Sequence, residues 1–203
     1  LQKTNLTMIG LNTQRGNTEL GENGISALPG REDEARAAID EAISYATKIK
    51  AKNIHVMAGV SAGEEAEKVF LKNLNYACSK AISYDITILI EPLNKYDAPG
   101  YFLNTTYQAL EIIKKIDYPN LKLMFDCYHV QLMEGNIVNK LKSMMPFIGH
   151  IQFASVPDRG EPESGELSYD FIFKTIQQLN YKGPIGAEYK PMGDTNLSLG
   201  WMK

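Results

Sequence analysis

Short apolar runs alternate with longer amphipathic stretches along most of the chain. Leu6 to Leu11 reads as a first strand, and the Gly-, Asn- and Thr-rich stretch through Gly30 reads as a long loop. Loops of that length inside compact domains are usually functional. From Glu32 to Lys50 the apolar positions Ala35, Ile39, Ala42, Ile43, Ala46 and Ile49 recur at helical spacing, with acids early and lysines late to complement the helix dipole. Asn53 to Ala58 predicts a second strand, and Glu64 to Ser83 a helix with Ala66, Phe70, Leu74, Ala77 and Ala81 on one face. Ile86 to Ile90 is a third strand, after which Asn104, Thr105 and Thr106 offer a cap for a helix using Ala109, Ile112, Ile113 and Ile116. Leu121 to Phe125 leads to a helix over Gln131 to Met145. Ile148 to Ala154 leads through a polar loop to a helix over Tyr169 to Leu179. Pro184 to Glu188 is the sixth strand.

Six strand-helix repeats with short returns imply a parallel sheet, because each helix must cross over before a new strand can start in the same direction. The strand runs are almost wholly apolar, as expected for a sheet buried on both faces in a closed barrel or an open doubly wound fold. An open dinucleotide-binding sheet would favour a glycine-rich first turn, and neither G-x-G-x-x-G nor a P-loop is present. Polar residues at several strand ends favour the barrel. The expected fold is therefore an α/β, TIM-type (β/α) barrel, with residues 1–203 as one domain carrying six of the usual eight units.

Those strand ends carry the candidate chemistry. Glu91 follows Ile90, Asp126 follows Phe125, Gln152 follows Ile151 and Glu188 follows Ala187. In a parallel barrel all strand ends open on one face, so four such side chains can converge on one divalent cation. Glu91 stands before Pro92, outside any helix face, and needs either a cationic partner or a functional reason. Glu188 occupies a matching position. His129 lies three residues beyond Asp126, within reach of the same mouth. Gln152 is a neutral ligand candidate, or else a buried amide bonded to neighbouring backbone. His150 shares its strand face, whereas His55 points to the lumen or to the helices according to the alternation of its strand. Arg159, in the loop beyond Gln152, suits bidentate recognition of a substrate carboxylate, or else forms a surface ion pair.

Composition narrows the partner. The chain has 203 residues, 44% hydrophobic, enough for one substantial core. A net charge of -3 without a long basic run provides no electrostatic footprint for nucleic acid or an acidic membrane. No apolar run approaches the roughly 18 residues of a membrane span. The expected partner is a small molecule. Cys78 and Cys127 form no metal-binding or disulfide pattern, so buried bystander thiols and a reducing, cytoplasmic setting are expected. The sequence opens at Leu1 with neither an initiator Met nor a positively charged leader, so a preceding segment is expected, and the cytoplasmic assignment rests on cysteine usage and composition alone.

The ordered stretches Gly30 to Glu32, Ile54 to Gly59, Ile90 to Asn94, Pro99 to Thr106, Phe125 to His129, Gly149 to Gln152 and Glu188 to Pro191 together resemble the hydroxypyruvate isomerase family of xylose-isomerase-like TIM barrels. The resemblance covers essentially the whole chain. It implies aldose-ketose isomerisation of hydroxypyruvate to 2-hydroxy-3-oxopropanoate without a redox cofactor, with Glu91 and Glu188 as the catalytic pair. It further implies a divalent metal, Mg²⁺ or Mn²⁺, held by Glu91, Asp126, Gln152 and Glu188. His129 and Arg159, with His55 and His150 beside them, would orient the 2-oxo acid substrate. Related barrels often place His where Gln152 stands. The resemblance also implies two further strand-helix units before Leu1, and two open sheet edges would favour pairing with a partner, including a homo-oligomer. Two other functions fit the same residues: isomerisation of a four-carbon 2-oxo acid of the 2-oxo-tetronate type, with the loop from Asn12 to Gly30 contacting the extra carbon, and a non-catalytic fragment. A metal-dependent nuclease would call for more His ligands and a basic groove.

Overall fold

A computed structural model of the protein describes residues 3–202. Six strands, β1 (Gly10–Asn12), β2 (Asn53–His55), β3 (Thr87–Ile90), β4 (Leu121–Asp126), β5 (Ile148–Phe153) and β6 (Ile185–Ala187), form one parallel sheet in sequential order. The helices α1 (Glu32–Ile49), α2 (Gly63–Ala81), α3 (Thr106–Ile116), α4 (Cys127–Met133), α5 (Ile137–Met144) and α6 (Tyr169–Gln178) supply the crossovers. The six strands curl as part of a TIM-type barrel, with β1 and β6 at its open edges.

The curl follows from strand alternation. One face of each strand presents Ile54, Ile88, Ile90, Leu123, Phe125, Ile151 and Phe153 to the helix layer, where all are buried. Helices α1 and α2 meet this layer through small and branched residues, among them Ala42, Ala46, Ala66 and Ala77, which allow close approach. Phe70 of α2 packs edge-to-face on Phe102, with ring centroids 5.5 Å apart. The opposite face carries Asn12, His55, Leu89, Glu91, Met124, His150 and Gln152 around a lumen cavity of about 330 Å³. Because every strand runs the same way, the polar members of that face reach one rim.

Local chemistry fixes most boundaries. Acids Glu32, Asp33 and Glu34 open α1. Thr105 caps α3 by accepting from the Gln108 amide at 3.1 Å. The element predicted over Gln131 to Met145 is two helices instead of one. Helix α4 begins earlier, at Cys127, and a left-handed pair, Gly135 (φ 65°) and Asn136 (φ 55°), separates it from α5. Strand β1 is shorter and later than the predicted Leu6 to Leu11, and β2 ends at His55. Beyond β2 the chain pairs instead with the long loop, through a bridge between Gly24 and Ala58 and a 2.7 Å bond from the Ala27 amide to the Ala58 carbonyl.

Candidate active site

Glu91 leaves β3 at the rim with its side chain 7% exposed, and its Oε2 lies 3.5 Å from His55 Nδ1. Its Oε1 lies 4.0 Å from His129 Nε2. Asp126 ends β4 and opens α4. Its Oδ1 caps that helix by accepting from the Tyr128 amide at 2.9 Å, which turns Oδ2 toward His129 Nε2 and an Arg159 amine, both at 3.7 Å. Gln152 stands beside Asp126 in the sheet register. Three oxygens at this rim, Glu91 Oε1, Asp126 Oδ2 and Gln152 Oε1, are buried without a hydrogen-bond partner. Orphaned buried acceptors are costly, and three on adjacent strand ends are what an oxygen-binding divalent cation would satisfy.

Burial dominates the electrostatics. It raises the Glu91 carboxyl well above the usual carboxylate range, and the Asp126 and Glu188 charges raise it further while Arg159 pulls it back. Asp126 is raised for the same first reason, then by Glu188. His55 is driven down to about 3 by burial, and His129 to about 3 by burial and then by Arg159, so both imidazoles are neutral at neutral pH. His129 Nδ1 accepts from the Asn94 amide at 3.1 Å, which leaves the ring proton on Nε2. Glu91, Asp126 and His129 lie close enough to bind one ion. With Nε2 protonated, however, His129 faces the site as a donor, and the free ligand atoms are the oxygens.

Arg159 and Glu188 close the other side. Arg159 has φ 54° and is fixed by its amide bond to the Ser155 carbonyl at 3.0 Å and by accepting from the Lys190 amide at 2.7 Å. Its guanidinium contacts Glu188 at 2.7 Å, Asp97 at 3.6 Å and Asp126 at 3.7 Å, and lies 4.9 Å over the Tyr128 ring. Burial opposes its charge, but the surrounding carboxylates prevail and raise its pKa. Glu188, expected to match Glu91, does not share its environment. It follows the edge strand β6 with its side chain 49% exposed, and it joins the cluster through Arg159.

Glu91, His129, Arg159, Glu188 and His55 line a mouth cavity of about 240 Å³. The alternation of β2 thus turns His55 inward. His150 and Gln152 line the adjoining lumen cavity, with His150 one layer deeper. Arg15, Asn23, Asp97 and Asn94 were not singled out from sequence, although the first three line the mouth and Asn94 sets the His129 proton. The run from Asn94 to Asp97 carried a turn signal, since Asn94 Oδ1 accepts from the Tyr96 and Asp97 amides.

The sequence profile described as "Xylose isomerase-like TIM barrel" matches residues 1–203. The chain belongs to that family. Among xylose isomerase-like relatives, a 2-oxo-tetronate isomerase of Cupriavidus necator is 43% identical over 100% of this chain and 80% of its own length. A hydroxypyruvate isomerase of Escherichia coli is 42% identical over 94% of this chain and 76% of its own. A solved barrel from Brucella melitensis, described as an AP endonuclease of family 2, superposes with a TM-score of 0.97 at 37% identity, covering 100% of this chain and 80% of that one.

Proposed function

We propose that the protein is an isomerase of short 2-oxo acids that interconverts hydroxypyruvate and 2-hydroxy-3-oxopropanoate through an enediolate. The observation that carries this reading is that Glu91 and Glu188 both line the small mouth cavity, beside neutral His129 and cationic Arg159. One carboxylate of the pair takes a proton from C3, the C2=C3 enediolate forms, and the other side returns a proton to C2 while the oxygen protons exchange. His129 donates from Nε2 toward a substrate oxygen. Arg159 holds Asp126 and Glu188 in position and offers its remaining N–H groups to the enediolate oxygens. His55 buttresses Glu91, and His150 forms the floor beneath Gln152.

Glu91, Asp126 and Gln152, with Glu188 as a fourth ligand, would hold a divalent cation. An all-oxygen donor set suits Mg²⁺ or Mn²⁺. Such an ion supplies charge stabilisation for the developing oxyanion.

The names of the relatives support this substrate class. A four-carbon 2-oxo acid is the second reading, favoured by the extension of the mouth to Asn12, Arg15 and Asn23 of the long loop. A nucleic-acid substrate, suggested by the description of the Brucella barrel, would call for a basic groove, whereas Glu91, Asp97 and Glu188 line this mouth. Buried, free Cys78 and Cys127 support a reducing compartment such as the cytoplasm. Among the described residues no helix is long and apolar enough to cross a membrane.

The test is hydroxypyruvate turnover by the 203-residue chain with and without Mg²⁺ or Mn²⁺, beside Glu188→Gln. Removal of a catalytic acid or base should lower kcat about a hundredfold or more at an unchanged fold. Turnover indifferent to Glu188→Gln would remove the acid/base assignment, and silence from the folded wild type would favour the non-catalytic reading.

A further inference from the structure

Arg159 is the cation that sequence favours for reading a substrate carboxylate, yet three protein carboxylates already surround it, at 2.7, 3.6 and 3.7 Å. A substrate anion approaching it would meet Glu188 and Asp97 before the guanidinium. The mouth is lined by a second cation, Arg15, in the loop between β1 and α1. Among the described residues Arg15 makes no ion pair. Its Nε and one terminal amine donate to the same acceptor, Asn23 Oδ1, at 2.9 and 2.7 Å. That neutral partner occupies the Nε edge of the guanidinium and leaves the end-on pair of parallel N–H donors without an ion-pair partner among the described residues, on a side chain that lines the mouth. A free edge of this kind matches a carboxylate bidentately.

The backbone beneath Arg15 is fixed. The Gly24 amide donates to the Arg15 carbonyl at 2.8 Å, the Thr13 amide to the His55 carbonyl at 2.9 Å, and the Met57 amide to Thr13 Oγ1 at 3.1 Å. The same loop is closed from below by Glu22, which accepts from the Asn17 amide at 2.6 Å and pairs with Arg31. A cation on an anchored loop loses little freedom on binding, which is the condition under which a single side chain sets affinity.

We propose that Arg15, braced by Asn23, is the carboxylate-binding and specificity residue of this site, so that a 2-oxo acid lies across the mouth with its carboxylate on the β1 loop and its reacting carbons between Glu91 and Glu188. The assignment rests on the isomerase reading for the reaction, but its anion recognition can be measured apart from turnover. It also separates the two jobs of the arginines: Arg15 holds the charge that never changes, and Arg159 faces the oxygens that do.

The experiment titrates the full chain calorimetrically with D-glycerate, an unreactive three-carbon carboxylate, alongside hydroxypyruvate kinetics, for wild type, Arg15→Gln and Arg15→Lys. Arg15→Gln should weaken glycerate about tenfold or more and raise KM for hydroxypyruvate by a similar factor, with kcat within about threefold. Arg15→Lys, which keeps charge but not the fork, should recover part of the loss. Glycerate affinity unchanged in Arg15→Gln, or no glycerate binding by wild type, overturns the assignment. Arg15-dependent glycerate binding without any hydroxypyruvate turnover upholds Arg15 and removes the isomerase reading instead.

Discussion

Replacing Arg159 with Met keeps much of the aliphatic stem and removes the charge shared by Asp126, Glu188 and Asp97. The Asp126 contact decides the magnitude, because that carboxylate is fully buried 3.7 Å from the guanidinium. At an effective dielectric near 20 a pair at this separation is worth about 4 kcal/mol. The contact with half-exposed Glu188 adds no more than about 1 kcal/mol. Part of this sum is offset because a partly buried guanidinium no longer has to be desolvated, so a net loss of about 2–3 kcal/mol is expected. In a domain of this size that lowers Tm by roughly 5–10 °C. The pH dependence has a definite sign. Asp126 and Glu91 have folded pKa values raised above their unfolded ones, so their ionised forms disfavour the fold at high pH and the penalty fades as pH falls through the folded pKa. Arg159 restrains both rises, so Arg159→Met should cost more at pH 8 than at pH 5. Thermal or urea unfolding in EDTA at the two pH values measures this. A variant as stable as wild type at pH 8, or one whose deficit grows on acidification, would refute the account of a buried carboxylate cluster held by one guanidinium.

Two further outcomes are expected. Asp126→Asn keeps an oxygen able to cap α4 but replaces a charged ligand. Mn²⁺ at a hundredfold excess over its Kd should therefore stabilise wild type by about 2.7 kcal/mol in a thermal melt and Asp126→Asn by far less. Gly59→Ala would place a methyl 2.2 Å from the Gly24 carbonyl oxygen at φ +97°, at a cost of about 1–3 kcal/mol. Because the neighbouring Gly24–Ala58 bridge pins the loop bearing Arg15 and the methyl would displace it, KM should rise with the loss of stability, and an unchanged KM would dissociate loop placement from binding.

The alternation of strands and helices was legible because each element carries its own period, and α1, α2, α3 and β3 to β5 fall close to where apolar spacing puts them. The break between α4 and α5 was legible too, in the Gly135–Asn136 pair, but apolar periodicity on either side outweighed it. Asp126 showed its position and hid its double role, since capping and ligation draw on different oxygens of one carboxylate. The unequal burial of Glu91 and Glu188 could not be read locally. Each follows a short apolar run, and only the sheet order decides that one strand is central and the other an edge. The proton on His129 depends on Asn94, 35 residues away, and the carboxylates gathered around Arg159 come from three separate segments. Such facts belong to tertiary structure.

The candidate ligands are distributed unevenly across a gradient of cooperativity. Glu91 and Asp126 leave the interior strands β3 and β4, whose amides are bonded on both sides, while Glu188 leaves β6, three residues long and paired on one side only. In hydrogen exchange the amides of β4 should open only with the whole domain, and those of β6 by local fluctuation. Each such opening would carry Glu188 away and release Arg159 from its nearest partner without unmaking the buried oxygens on β3 and β4. In this six-stranded sheet, half of the proposed site would therefore persist through excursions that remove the other half, and the proposed pair of Glu91 and Glu188 would face each other only while β6 is closed.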